Sequence, residues 1–407
     1  MTNLYIFNEG TAAYGKGTYF NELTTTLKCS NINVCLIQLF SDTPNEDLME
    51  LDGIRYWHIP IPIKDTSLNS NRKDELYYRN VVYLLQLHIK GTNNLIFHLN
   101  FMHSRLLAEE LRRVFTCKIV LTIHYLKWCF SLSGNLTQFR SLLSQQEDLS
   151  IESYKIKEEV REVQEFIKLT DRTICLSECT RDILIKDYEI ESNRIHLIFN
   201  GLPDNTHARV NKDLLRKKYR LSINDSIILY AGKIDQYKGL EYLLRAFRIV
   251  LDRVSKCRLL VVGDGSVNSS LKECEDIWAS VTFTGQLAKT KLYDLYSVSN
   301  IGVIPSFTEQ CSFSAIEMMM HSLPMITTTA SGLAEMTEDG ISSLQVPVIE
   351  FPDKVEIDIE LLAEKILYLL EHPDVALILG KNARKRYEER YRGEMFKKNM
   401  LRFYYSL

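Results

Sequence analysis

Ile227-Ile-Leu-Tyr-Ala-Gly-Lys-Ile-Asp-Gln-Tyr-Lys-Gly-Leu240 is an apolar run of β type, a glycine-flanked loop carrying two lysines, and the opening of a helical pattern that continues to Asp252. A short apolar run bounded by glycine marks a buried strand, and apolar residues recurring at three and four positions mark an amphipathic helix. The same alternation extends outward in both directions. Towards the C-terminus the strand candidates are Arg258–Val262, Val281–Phe283, Ile301–Ile304, Met325–Thr327 and Ser343–Val346. Towards the N-terminus they are Leu4–Phe7, Val34–Leu39, Ile54–His58, Leu95–His98, Lys118–Ile123, Thr173–Leu176 and Ile195–Ile198. Helical patterns lie among them at Thr18–Lys28, Glu75–Lys90, Arg105–Phe115, Leu240–Asp252 and Leu361–Glu371. Strands separated by helices of about 10–15 residues require parallel sheets covered on both faces. The polar, turn-forming stretch Asn200–His207 divides the two series. The fold class expected is therefore α/β, with two doubly wound, Rossmann-like domains in tandem. Ligands of such sheets bind outside the carboxyl ends of the strands, so the residues just after each strand are the candidates for function.

Composition narrows the classes. The 407 residues are 45% hydrophobic, with 17 Gly and 9 Pro, which excludes a disordered or fibrous chain. Lys plus Arg number 49 against 52 Asp plus Glu, a net charge of −3, so no whole-chain field favours nucleic acid or an acidic membrane. No apolar run approaches the roughly 18–20 residues that span a bilayer, and the opening Met-Thr-Asn-Leu-Tyr-Ile-Phe lacks the features of a signal peptide. A cytoplasmic protein is expected. The nine cysteines form no Cys-x-x-Cys pair and none stands at zinc spacing from a histidine, so reduced, structural thiols are expected.

Several post-strand segments carry chemistry. After the first strand, Gly10 and Gly15-Lys16 have the spacing of a phosphate-binding P-loop, but Gly17 stands where Ser or Thr would hold magnesium. As a dinucleotide fingerprint Gly15-x-Gly17 fails too, because Phe20 occupies the third small position. What remains is a flexible glycine turn, or one that lets backbone amides approach a ligand. His98 and His124 both end strands. Lys233 and Lys238 follow a strand and precede a helix, where an ammonium neutralises phosphate oxygens. The segment Ser306-Phe-Thr-Glu-Gln-Cys-Ser-Phe-Ser-Ala-Ile-Glu-Met-Met-Met-His321 runs from a strand end into a helix. Ser314 and Glu317 have capping-box spacing, which gives Glu317 a purely structural reading. Glu309 precedes the helix, and the amides of Cys311 to Ala315 are expected to face a phosphate. A carboxylate beside an anion site requires a task of its own, such as accepting hydrogens from sugar hydroxyls.

On these residues the C-terminal half resembles glycosyltransferase family 4 (group 1), retaining enzymes of the GT-B architecture. The hallmark pair of glutamates separated by seven residues is matched by Glu309 and Glu317. Leu323-Pro-Met-Ile-Thr-Thr-Thr-Ala-Ser-Gly-Leu-Ala-Glu335, Ala231-Gly-Lys-Ile with Lys238-Gly-Leu240, and Ile198-Phe-Asn-Gly-Leu202 are similar to further family stretches. In the N-terminal half Tyr14-Gly-Lys-Gly-Thr-Tyr19 and Thr122-Ile-His124 are similar to the family's glycine loop and active-site histidine. Departures are Tyr14 for glycine, Lys233 for the commoner arginine, Gln310-Cys311-Ser312 for Gly-Phe-Gly, and Ser322 for the glycine before Leu-Pro.

The resemblance implies two domains facing a cleft: residues 1–205 binding the acceptor, residues 206–388 binding the donor, and 389–407 as a helix returning to the first domain. It implies that Glu309, His124 and Lys238 are catalytic. Gly15, Lys233, Lys238, Ser312, Phe313 and Glu317 would hold the donor, Glu317 through the ribose, with the base near Gly263–Ser266 and Gly285–Leu287. The expected reaction is retaining transfer of a sugar from a UDP- or GDP-sugar without cofactor or metal. Glu356-Ile-Asp358-Ile-Glu360 is the nearest acidic cluster, and Asp358 reads as a helix cap. The acceptor is a glycan, lipid-linked glycan, peptide or small molecule; similarity of Glu309–Ser312 and Ile316–His321 to a subgroup associated with peptide-modification clusters points to peptide. No nucleic-acid partner is expected, and at most a weak peripheral contact with the inner face of the membrane. Two other readings stay open: a P-loop nucleotide switch or kinase, and a catalytically silent protein that binds sugar nucleotides.

Overall fold

The computed structural model describes residues 2–9, 14–28, 30–60, 70–89, 94–146, 150–206 and 211–407. The chain forms two compact units: Met1–Leu126 with Glu147–Ile198 and Lys397–Leu407, and Lys127–Gln146 with Phe199–Phe396. The crossing point is Ile198/Phe199 rather than residue 205, because the residues after it already bond to the second unit. Asn200 Nδ2 donates to the Cys311 carbonyl at 2.9 Å, and the Leu202 amide donates to the Tyr391 carbonyl at 3.0 Å. For the same reason residues 389–396 stay with the second unit, and the returning segment begins at Lys397.

The first unit is built on eight strands: β1 (Thr2–Glu9), β2 (Ile32–Ser41), β3 (Asp47–Leu51), β4 (Ile54–Pro60), β5 (Leu95–Leu99), β6 (Lys118–Ile123), β7 (Arg172–Cys175) and β8 (Ile195–Leu197). Their order is β3-β4-β2-β1-β5-β6-β7-β8, and the β3–β4 pair alone is antiparallel. The sheet turns its direction of growth at β1, between β2 and β5, so β1 and β5 flank the switch point where such sheets bind ligands. The helix after β1 spans Tyr14–Lys28. It begins four residues earlier than Thr18, so Gly15, Lys16 and Gly17 lie in its first turn rather than in a loop; Gly10 lies outside the described residues.

His98, on β5, is fully buried and both ring nitrogens are bonded, Nδ1 to Tyr404 Oη at 2.6 Å and Nε2 to Thr122 Oγ1 at 2.7 Å. Tyr404 belongs to the last helix, Gly393–Tyr405. His98 thus ties the C-terminal segment to the first sheet. Burial pushes its pKa down from 6.5 to about 3. Between those values the unfolded chain takes up a proton that the folded unit excludes, so stability is complete above pH 6.5 and falls as pH drops below it. The expected slope from this group is up to about 1.4 kcal/mol per pH unit. Urea melts between pH 7.5 and 4.5 should show that slope in the wild type and a shallower one in His98→Gln; equal slopes would contradict the assignment.

The second unit carries β9 (Ser226–Ala231), β10 (Cys257–Val262), β11 (Val281–Gly285), β12 (Ile301–Ile304), β13 (Met325–Thr328) and β14 (Leu344–Val346), in the order β11-β10-β9-β12-β13-β14, all parallel. A separate antiparallel pair joins β15 (Val348–Glu350) to β16 (Val355–Ile357). Leu243, Leu244, Phe247 and Val250 of the Leu240–Arg253 helix share one core with Leu362, Ile366 and Leu369 and the strands. Here the switch point lies between β9 and β12, so the loops that follow those two strands frame it. Asp358 caps the helix Ile359–Glu371 by accepting from the Leu361 amide at 3.0 Å. Ser322, where the resembled family has glycine, sits at φ +55°. Ser322→Gly should therefore stabilise the unit by up to about 1 kcal/mol, read in a denaturant melt.

Candidate active site

The loop after β9 is shaped by glycine. Gly239 adopts φ +67°, and a Cβ there would lie 1.9 Å from the Pro305 carbonyl oxygen. Only a bare backbone lets this loop meet the one after β12. The contact sets Lys238 Nζ 2.7 Å from Glu309 Oε1, with both side chains largely buried. Ser306 Oγ donates to the same oxygen at 3.0 Å. The Glu309 backbone is pinned as well: its amide donates to Ser331 Oγ at 3.0 Å, and that hydroxyl returns a bond to the Glu309 carbonyl at 2.5 Å. The carboxylate that seemed misplaced beside an anion site is thus charge-compensated by Lys238. Lys233 is half exposed and bonds Asp235 at 2.8 Å, a partner that raises the lysine's pKa.

The loop after β12 leads into the helix Phe313–Met320, capped by Ser312, whose Oγ accepts from the Ala315 amide at 3.4 Å. This overturns the capping-box reading: Ser314 is inside the helix, and Glu317 is too far along to reach back to its start. The Ser312 amide donates to Met336 Sδ at 3.1 Å and is not available to a ligand. Of the helix-start amides expected to face phosphate, those of Phe313 and Ser314 make no bond to a described residue. Glu317 points inward and is 1% exposed. One oxygen pairs with Lys289 Nζ, and the other accepts from Tyr296 Oη at 2.9 Å.

Two further turns complete this edge of the sheet. Gly263 (φ +145°) follows β10, and a Cβ there would lie 1.8 Å from the Gly232 carbonyl oxygen, so the β9 and β10 loops are in backbone contact. Gly285 ends β11 at φ +67° with open space around it, and Leu287 is half-buried beyond it. The structure therefore brings Lys233, Lys238, Glu309, Ser312, Phe313, Glu317, Gly285 and Leu287 to the carboxyl edge of one sheet. Sequence reasoning missed Lys289, Tyr296, Ser306 and Ser331, the partners that hold the two glutamates. The signal available for Lys289 is a lysine in the first turn of a helix that has no acidic residue there, against the helix dipole.

In the first unit His124 follows β6. Its Nε2 donates to Asn100 Oδ1 at 3.2 Å, and its ring lies edge-on to Tyr19 at 4.6 Å. Burial first, then Lys16 and His98, pushes its pKa down to about 3, so the imidazole is neutral at physiological pH. Gly15 is exposed in the first helical turn, and Lys16 Nζ lies 5.6 Å over the Tyr125 ring. Among the described residues no group of His, Cys, Asp and Glu has metal-holding geometry, no two cysteines form a disulfide, and no helix is long and apolar enough to cross a membrane. Cys29 lies outside the described residues.

Residues 225–372 match the family described as glycosyl transferases group 1. Among curated proteins the chain is similar to an alpha-D-kanosaminyltransferase of Streptomyces kanamyceticus, 24% identical over 67% of this chain. It is also similar to a D-inositol 3-phosphate glycosyltransferase of Rhodococcus opacus, 28% identical over 45% of this chain. These matches span 66% and 43% of the relatives' own lengths. Among solved structures, a sucrose-phosphate synthase from Thermosynechococcus elongatus covers 100% of this chain and 99% of its own, with a TM-score of 0.78 at 21% identity. The Anabaena protein HepE, in complex with UDP and glucose, matches over 100% of both chains with a TM-score of 0.75 at 14% identity. These likenesses establish the two-domain GT-B fold.

Proposed function

We propose that this chain, whose residues 225–372 match the group 1 glycosyl transferases, moves a sugar from a nucleotide-diphosphate sugar to an acceptor with retention of configuration and without a metal ion. The observation that carries the reading is the Lys238–Glu309 pair at the switch point of the second sheet, beside the start of the Phe313 helix. In the free protein each charge satisfies the other. An arriving diphosphate offers Lys238 a stronger anion and frees Glu309 to accept hydrogens from donor-sugar hydroxyls. Lys233, Lys238 and the amides of Phe313 and Ser314 then compensate the charge that develops on the departing diphosphate, the transition-state stabilisation that such enzymes most need. Glu317 accepts from the ribose hydroxyls, and the base lies towards Gly263–Ser266 and Gly285–Leu287.

The donor is a UDP- or GDP-sugar; the HepE complex with UDP-glucose supports the uridine carrier. Retention rests on the Glu309 and Glu317 spacing shared with the resembled family. The roles of Gly15 and His124, and acceptor binding by the first unit with a glycan or peptide as acceptor, rest on the same resemblance. A neutral imidazole suits His124 for hydrogen bonding to a sugar hydroxyl rather than for charge compensation.

The test is a thermal-shift screen of UDP- and GDP-sugars, run with chelator and again with added magnesium or manganese. One donor at a hundredfold excess over its dissociation constant should stabilise the fold by about 2.7 kcal/mol, equally in both conditions. A shift that appears only with metal would contradict the metal-free cradle and favour the P-loop reading.

A further inference from the structure

We propose that Lys289 is the positioning residue for nucleotide recognition: its ammonium holds the buried Glu317 carboxylate in the orientation that reads the ribose hydroxyls. This inference rests on the assignment of Glu317 to the ribose.

The geometry is specific. The Lys289 side chain is 48% exposed, whereas that of its partner Glu317 is 2% exposed. An ionised carboxylate so far from water is tolerated only when paired and hydrogen-bonded. Its two oxygens are served from different directions, one by Lys289 Nζ and one by Tyr296 Oη. Two donors on two oxygens fix the plane of the carboxylate. Each oxygen accepts about two bonds, so each keeps one acceptor position for a hydroxyl of a ligand. The ammonium likewise has three hydrogens and uses one on Glu317. Glu317 is therefore oriented but not saturated.

The location of Lys289 on its own helix points the same way. Lys289 is the first residue of the helix Lys289–Val298, whose cap, Ala288, supplies no side-chain bond and whose first turn has no acidic residue. A cation there opposes the helix dipole, so local helix energetics does not explain it. It also follows Gly285 by four residues, the left-handed turn with open space beside it. Lys289 thus follows closely in sequence the turn assigned to the base, while its ammonium pairs with the carboxylate assigned to the ribose. On the far side of Glu317, the Tyr296 ring lies 5.3 Å from the ring of His321, whose Nδ1 bonds the Glu317 carbonyl at 2.8 Å. Tyr296 is buried, and its pKa is raised well above 10 by that burial and the adjacent carboxylate, so it remains a donor. Of the carboxylate's two side-chain partners among the described residues, Lys289 is half exposed and Tyr296 is buried.

The experiment measures binding of UDP, GDP and their 2′,3′-dideoxy forms by calorimetry to the full chain as wild type, Lys289→Met, Lys289→Arg and Glu317→Gln. The wild type should prefer the ribonucleotide. Lys289→Met should cut that preference by about tenfold, the scale of one well-placed hydrogen bond to a charged group, while dideoxynucleotide binding stays unchanged. Lys289→Arg should restore most of the preference. If Glu317→Gln abolishes the preference and Lys289→Met keeps it, Lys289 is only a charge partner and the proposal fails while the ribose assignment stands. If Glu317→Gln keeps the preference, or neither nucleotide binds the wild type, the ribose assignment fails and this proposal with it. Loss of dideoxynucleotide binding in Lys289→Met would show that the lysine holds the whole site together, which also overturns it.

Discussion

Glu309→Gln is expected to lower sugar transfer by about 10²–10³-fold, the loss typical of removing one preorganised electrostatic contact at a reacting centre. The variant keeps the shape of the side chain and an oxygen for Ser306, which donates to Glu309 at 3.0 Å. The backbone bonds to Ser331 and Gly332 are untouched. What it removes is the charge facing Lys238 and the acceptor strength offered to a sugar hydroxyl. The fold should survive, because Lys238 keeps some access to water at the end of the short 3-10 turn Gln236–Lys238. Rate measurements on the purified variant, alongside a thermal melt, check both halves. Wild-type turnover would show that Glu309 is a structural partner of Lys238 and that the sugar site lies elsewhere.

Gly239→Ala should destabilise the second unit by about 3 kcal/mol, combining the strain of a left-handed L-residue with overpacking. For a unit of this size that is a fall in Tm of about 10 °C. Gly285→Ala is the matched control. Both glycines have φ +67°, but a Cβ at 239 would lie 1.9 Å from a carbonyl oxygen, whereas one at 285 meets nothing within 4 Å. Gly285→Ala should therefore carry only the conformational cost of about 1–2 kcal/mol. Calorimetric melts of the two variants separate the effects. Equal falls would mean that the close approach of the two loops does not matter to stability.

Much of this architecture is legible in the sequence because buried parallel strands are written as apolar runs ended by turn residues. Lys118–Ile123 and Ile301–Ile304 are read to the residue. The strand Asp47–Leu51 is not, because all five residues are exposed and neither alternation nor an apolar run marks it. The start of the Tyr14–Lys28 helix is missed because Gly15-Lys-Gly17 carries the signature of a turn. Nor does any local pattern tell that Lys127–Gln146 belongs with the second unit. Asn135 Oδ1 accepts from the Gln138 amide as a helix cap, while its Nδ2 donates to the carbonyls of Phe351 and Lys354, more than 200 residues away. The site divides in the same way. Glu309, Glu317 and Lys238 stand at spacings that a family shares, whereas Lys289 and Tyr296 become partners of Glu317 only when two helices pack. The capping-box alternative for Glu317 fails because the helix begins at Phe313, capped by Ser312 rather than Ser314.

The most direct test of the central claim is a proton NMR time course of the donor selected by the thermal screen, incubated with the protein, chelator and a mixed pool of glycans and peptides. The donor's anomeric signal should decay as free nucleoside diphosphate appears, the new glycoside should keep the donor's anomeric configuration, and Glu309→Gln should suppress both changes. A bound donor that stays intact would make this a silent sugar-nucleotide-binding protein, and a product of inverted configuration would contradict the assigned chemistry.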